Sequence, residues 1–281
     1  MGTTTSGKAV RMQRLFSRGD GRLIIMPIDH TVSEGPIADS VAVTGLVNMA
    51  SDVGIDAVVL HKGRLRSSEV DCWRRLSLIV HLSASTKRAG DPNAKVLVTS
   101  VEEALRRGAD AVSVHVNLGS QTESQQIADL GSVADTADRW GVPLLAMMYA
   151  RGPSIRDPAD AELVAHAASL AAELGADLVK TVYTGDVDSM RDVVNSCPIG
   201  VLAAGGPRYR QPEEVESFVQ DVLAAGVIGV AIGRNIFEAE APVEIAEHAV
   251  GLVHPAVTVM TEPVDLRGYE RGRAHQRVGA E

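Results

Sequence analysis

Along most of this chain, short runs that are apolar at nearly every position alternate with longer stretches in which apolar residues return every three or four positions. The first pattern predicts strands covered on both faces, and the second predicts amphipathic helices packed against them. Eight strand-like runs stand out: Leu23 to Ile28, Ala57 to His61, Leu78 to Ser83, Ala111 to Val116, Leu144 to Tyr149, Leu178 to Tyr183, Ile199 to Ala204 and Ile228 to Ile232. The stretches between and after them predict helices over Ser40 to Val53, Leu65 to Leu76, Val101 to Arg107, Glu123 to Trp140, Ala159 to Leu174, Val187 to Asn195, Pro212 to Ala225 and Val243 to Val253. Three of these helices run into a Gly-x-Asp turn, at Gly54-Ile55-Asp56, Gly108-Ala109-Asp110 and Gly175-Ala176-Asp177. Glycine there suits a left-handed C-cap before the next strand.

A strand followed by its helix, eight times over, predicts a single (β/α)8 TIM barrel. An open doubly wound parallel sheet is the other arrangement this alternation allows, and it too gathers ligands at the carboxyl ends of the strands. The expected organisation is an N-terminal extension over residues 1–21, the barrel over 22–258 and a C-terminal tail over 259–281. From Thr261 onward Arg, Glu and Gly replace the apolar pattern, so the tail reads as disordered or as an arm to a neighbouring subunit.

Composition narrows the function classes. The 281 residues are 45% hydrophobic and 22% charged, an ordinary globular balance with a sizeable core. Lys+Arg 27 against Asp+Glu 36 leaves a net charge of −9, and with 3% aromatics there is no basic, stacking surface for nucleic acid. Cys72 and Cys197 offer neither a disulfide framework nor metal-ligand spacing, which fits structural thiols in a reducing cytoplasm. The longest apolar run, Val222 to Ile232, is too short and glycine-interrupted to span a bilayer, and a soluble, cytoplasmic protein is expected. Met1 to Ser6 matches a myristoylation pattern short enough to arise by chance, and a disordered polar start is the preferred reading.

The chemistry concentrates where the strands end. Lys180 interrupts the apolar run Leu178 to Tyr183, and burial there penalises an ammonium and favours the neutral, nucleophilic amine. A strand-end lysine that snorkels to water is the bland alternative. Asp29 and His30 close the first run, His61 and Lys62 the second, His115 the fourth, and Tyr149 and Arg151 the fifth. Glycines follow the last two runs, in Gly205-Gly206-Pro207-Arg208 and Gly233-Arg234-Asn235, the loops where barrels commonly hold phosphate. A lysine nucleophile beside a phosphate anchor points to a phosphorylated ketone held as an iminium, hence to a metal-independent class I aldolase. Tyr149 and Asp29 are the candidates for proton transfer, while His30, Arg151, Lys62 and His115 are candidate substrate contacts. No cofactor is implied, and His30, His61 and His115 lack the local spacing of a metal set.

Five segments, Arg22 to Pro36, Val59-Leu60-His61-Lys62-Gly63, Val116 to Ser120, Lys180 to Asp186 and Ala204 to Pro207, resemble in order those of the archaeal-type class I aldolases. Within that family they look most like the 2-amino-3,7-dideoxy-D-threo-hept-6-ulosonate synthases and their bacterial relatives. The resemblance implies a Schiff base at Lys180, proton transfer at Tyr149, an active-site carboxylate at Asp29, and phosphate at the Gly205-Gly206 and Gly233-Arg234 loops. It further implies L-aspartate 4-semialdehyde as acceptor, dihydroxyacetone phosphate or a deoxyketohexose phosphate as donor, and a homo-oligomer such as a decamer. Thr31, where the family's Asp-His usually continues with glycine, and Ala150, where proline is common before Arg151, depart from the pattern. Fructose 1,6-bisphosphate cleavage and a non-catalytic phosphosugar-binding barrel are the alternatives.

Overall fold

The computed structural model describes residues 6–36, 40–67, 71–207, 209 and 211–255. Eight parallel strands close into a barrel: β1 Leu23–Pro27, β2 Ala57–Leu60, β3 Ser77–His81, β4 Ala111–Leu118, β5 Leu144–Ala150, β6 Leu178–Thr181, β7 Gly200–Ala204 and β8 Gly229–Ala231. Each pairs with its sequence neighbours, and β1 pairs with β8 through Leu23 opposite Gly229, which completes the ring. All eight expected strands are present, and the open sheet is excluded by closure. The C-terminal tail lies outside the described residues, as do Arg208 and the polar start apart from Ser6.

Alternation along the strands separates two apolar layers. Leu23, Ile25, Val59, Ile79, Leu145, Met147, Leu178 and Leu202 face the barrel interior, while Ile24, Met26, Val58, Val80, Val112 and Val179 pack outward under the helices. The helices are α1 Ser6–Leu15 and α2 His30–Glu34, then α3 Ser40–Val53, α4 Val101–Arg106, α5 Glu123–Arg139, α6 Ala161–Glu173, α7 Val187–Ser196, α8 Pro212–Ala224, the short α9 Arg234–Phe237 and α10 Pro242–Val253 among the described residues. The helix expected over Leu65 to Leu76 differs. Among the described residues that stretch holds two 3-10 turns, Arg64–Ser67 and Asp71–Arg74. Serine and aspartate, present there as Ser67 and Asp71, favour turns and caps over helix interiors.

The amino ends of the strands are tied by a repeated device. Gly54, Gly108 and Gly175 have φ of 85°, 90° and 89°, as the Gly-x-Asp turns require. The aspartate of each turn then accepts an N–H from the strand before its own: Asp56 from Ile24 (2.7 Å), Asp110 from Leu78 (2.9 Å) and Asp177 from Leu144 (2.9 Å). Helix α1, Ser6–Leu15, crosses this end and supplies countercharge. Lys8 meets Asp177 at 3.1 Å, Arg14 meets Asp110 at 2.8 Å, and Arg18 just beyond the helix meets Asp56 at 3.4 Å. Leu15, fully buried with Met12 and Phe16 beside it, plugs the interior from below.

Candidate active site

The inward parity of the strands decides which side chains reach the mouth. Two residues beyond Val59, Ile79 and Met147 stand His61, His81 and Tyr149; two beyond Leu178 stands Lys180, and Arg151 continues the β5 series. These side chains, with Asp29, His30 and His115, line one cavity of about 800 Å³ at the carboxyl ends of the strands. Lys180 is 9% exposed, and among the described residues its ammonium has no hydrogen bond or ion pair. Three histidines and Lys180 surround Asp29. Burial opposes the Asp29 charge, but His81, His30 and Lys180 outweigh it and hold the carboxyl below its ordinary value.

His81 is the most buried of these histidines. Its Nδ1 lies 2.8 Å from Ser113 Oγ, its Nε2 lies 4.0 Å from Asp29 Oδ2, and its ring meets that of His61 edge-on with centroids 5.2 Å apart. Burial, only partly opposed by Asp29, brings its pKa to about 4, so His81 is a neutral imidazole aimed at a carboxylate. Burial likewise lowers His30 and His61. On the opposite wall the His115 and Tyr149 rings lie 4.9 Å apart, and the Arg151 guanidinium carbon sits 4.3 Å above the Tyr149 ring. His115 Nε2 is 2.9 Å from Asn117 Oδ1, and its pKa falls well below the ordinary value through burial and the charges of Lys95 and Arg151.

The two glycine loops close the remaining wall. Gly205 N–H is committed to the Ala231 carbonyl and Gly206 N–H to the Ala204 carbonyl, so these glycines shape the wall by close approach. A Cβ on Gly233 would come within 2.5 Å of the Pro27 carbonyl oxygen, leaving no room for a side chain where β1 and β8 converge. Asn235 joins the loops, donating to the Gly205 carbonyl at 2.6 Å and the Pro207 carbonyl at 2.9 Å. Arg234 stands 3.5 Å from Glu34, which also meets Lys87 at 3.1 Å.

Comparison with known proteins decides what this barrel is. Residues 23–239 match the model of the DeoC/LacD family aldolases. The chain belongs to that family. It is 48% identical over 97% of both chains to the 2-amino-4,5-dihydroxy-6-oxo-7-(phosphonooxy)heptanoate synthase of Streptomyces griseus. It is also 45% identical to 2-amino-3,7-dideoxy-D-threo-hept-6-ulosonate synthase 1 of Archaeoglobus fulgidus, over 88% of this chain and 91% of that one. An archaeal fructose-1,6-bisphosphate aldolase, solved with its catalytic lysine bound covalently to the carbinolamine intermediate, superposes with a TM-score of 0.81 at 31% identity, covering 88% of this chain and 99% of the other.

Of the residues singled out in the sequence, the aldolase cavity gathers Lys180, Tyr149, Asp29, His30, Arg151, His115, His61, Gly205, Gly206, Gly233 and Arg234. It does not gather Lys62, whose ammonium donates to the Val98 carbonyl at 2.7 Å outside the cavity wall. Asp29 and Lys180 share the cavity without forming an ion pair. Among the described residues no three His, Cys, Asp or Glu side chains are grouped to hold a metal ion. The cavity is also lined by residues that the strand-end reading did not single out as site residues: His81, Lys87, Lys95, Glu34 and Asn235. His81 shares the inward parity of Ile79 and was legible from it; Lys87 and Lys95 arrive on the hairpin connection and Glu34 and Asn235 on short helices, whose course no periodicity reports.

Proposed function

We propose that this aldolase forms a Schiff base between Lys180 and a phosphorylated ketone and adds the resulting enamine to L-aspartate 4-semialdehyde. The observation that carries the reading is an unpaired, inward-facing Lys180 sharing one cavity with Tyr149, Asp29 and the phosphate-type loops. The amine attacks the ketone carbon to give a carbinolamine, and loss of water gives an iminium that acidifies the neighbouring carbon. Asp29, held ionised among its cationic and imidazole neighbours, is suited to accept a proton; the Tyr149 phenol is suited to shuttle one at the carbinolamine or the new hydroxyl.

The Streptomyces griseus relative's product name supplies the connectivity. A heptanoate with an amine at C2, hydroxyls at C4 and C5, a ketone at C6 and phosphate at C7 disconnects at C4–C5. One fragment is dihydroxyacetone phosphate and the other is L-aspartate 4-semialdehyde, with no atom gained or lost in the addition. Arg234 and the loop after β8 suit the phosphate of such a donor. The dideoxy product named for the Archaeoglobus fulgidus relative carries no phosphate and fits a donor of the deoxyketohexose phosphate class that releases it with the departing fragment.

Incubation with each ketose phosphate and L-aspartate 4-semialdehyde, read by mass spectrometry, tests the proposal and separates the donors. A seven-carbon amino-keto acid is the expected product, phosphorylated when dihydroxyacetone phosphate is the donor. Turnover with glyceraldehyde 3-phosphate and none with the semialdehyde would make this a fructose-bisphosphate aldolase instead. The same proposal includes a homo-oligomer in the cytoplasm, which light scattering and cell fractionation examine; no helix among the described residues is long and apolar enough to cross a membrane.

A further inference from the structure

Two lysines reach the cavity from one loop and meet opposite surroundings. Beyond β3 the chain leaves the barrel and forms a small antiparallel hairpin, Ser83–Ala84 with Val96–Leu97, whose connection overhangs the mouth. Lys87 on this connection is matched by Glu34, the carboxylate it shares with Arg234 on the glycine-loop side. Lys95 is not matched. Its ammonium donates to Ser85 Oγ at 2.5 Å, and among the described residues no carboxylate forms an ion pair with it. Arg151, seated over the Tyr149 ring, is equally without one.

These two cations act on each other. Burial and then the nearby Arg151 lower the Lys95 pKa, the charges of Asp29 and Asp91 opposing them only in part, and both cations act on His115 between the hairpin and Tyr149. Holding like charges together in a partly closed cavity is unfavourable in the empty protein, and an anion placed between them relieves it. The position is built rather than incidental. The Asn93 carbonyl, two residues before Lys95, accepts from Asn117 Nδ2 and Gln126 Nε2, each at 2.9 Å, which fastens the loop to β4 and α5. His115, whose pKa is far below neutral, adds no third positive charge.

We infer that Lys95 and Arg151 form a second anion subsite, across the cavity from Arg234, that receives the carboxylate of the acceptor aldehyde. This rests on the aldolase reading and names the residues that recognise its acceptor. A guanidinium fork beside an ammonium suits a planar carboxylate. Arg151 sits on Tyr149, so an acceptor held there by its carboxylate presents its other end toward the tyrosine and Lys180.

The test compares L-aspartate 4-semialdehyde with uncharged propanal and with glyceraldehyde 3-phosphate in wild type, Lys95→Met, Lys95→Gln and Arg151→Met. The preference for the semialdehyde over propanal should collapse by about 10- to 100-fold in each variant, the scale of a lost charge-assisted hydrogen bond, mainly through the acceptor KM. Lys95→Gln retains a donor for Ser85 and guards against a merely structural loss. Borohydride trapping of the donor on Lys180 should persist in all variants, separating failure of this subsite from failure of the Schiff-base reading. Calorimetry with L-homoserine, which has the carboxylate and amine but no aldehyde, gives an answer independent of turnover: binding to wild type and at least tenfold weaker binding to the variants. An unchanged preference, absent homoserine binding, or a loss confined to glyceraldehyde 3-phosphate would overturn the inference.

Discussion

At the bottom of the barrel His254 sits between Asp20 and Asp56, 2.6 and 2.8 Å from their carboxylates; at the mouth His81 sits between Ser113 at 2.8 Å and Asp29 at 4.0 Å. Burial works against a charge on both rings. At the bottom the hydrogen bonds to Asp56 and Asp20 outweigh it and raise the His254 pKa, whereas at the mouth burial prevails and His81 falls to about 4. The same contrast holds for the other charges. Asp56, Asp110 and Asp177 each have a cation, while Lys180, Lys95 and Arg151 have no carboxylate within ion-pair reach among the described residues. Matched charges stabilise the bottom; at the mouth Lys87 and Arg234 share Glu34, while Lys180, Lys95 and Arg151 stand unmatched and available to substrate.

The sharpest way to separate the two ends is Lys180→Met. Turnover should fall by at least about 10⁴-fold, as for loss of a nucleophile, while unfolding in urea shows no loss of stability because no paired charge is broken. Tyr149→Phe should lower turnover by about 10²- to 10⁴-fold, the range for general acid–base groups, with donor trapping on Lys180 still detectable. At the bottom the pattern inverts. Asp56→Ala leaves His254 and the Ile24 N–H without their shared acceptor and should cost about 3–5 kcal/mol of stability, with kcat per folded molecule unchanged.

The smallest effect is a pair of opposed pH slopes. His254, raised in the folded protein, contributes stability that is present below its ordinary value near 6.5 and is lost as pH rises through its folded value. His81 is lowered, so the folded state is disadvantaged as pH falls from 6.5 toward 4, by up to about 3 kcal/mol at the acid end. Urea unfolding at several pH values should show His81→Gln flattening the acid limb and His254→Gln flattening the limb above 6.5. An unaltered acid limb in His81→Gln would mean that His81 does not stay neutral.

Much of this was legible in the sequence because uninterrupted apolar runs and helical spacing report burial directly. All eight strands and the Gly-x-Asp turns follow from it, as does the placing of Lys180, Tyr149 and Asp29 in one cavity. What escaped did so for identifiable reasons. His81 lay inside a run read through to Ser83, although the barrel strand stops at His81, where the chain turns out to pair Ser83–Ala84 with Val96–Leu97. Lys95 and Glu34 reach the mouth from the hairpin connection and from the short helix α2, His30–Glu34, and their contacts are long-range. Lys62 followed a strand as expected but turned to the Val98 carbonyl. Helix α1 was hidden because its Lys8 and Arg14 look like surface charge until the aspartates they meet are in place.

The central claim is that the unmatched lysine at the mouth is the nucleophile. Sodium borohydride added with dihydroxyacetone phosphate, and separately with a deoxyketohexose phosphate, should leave a reduced adduct that peptide mass spectrometry locates on Lys180. No adduct with any ketose phosphate, or one that survives in Lys180→Met, would contradict the account.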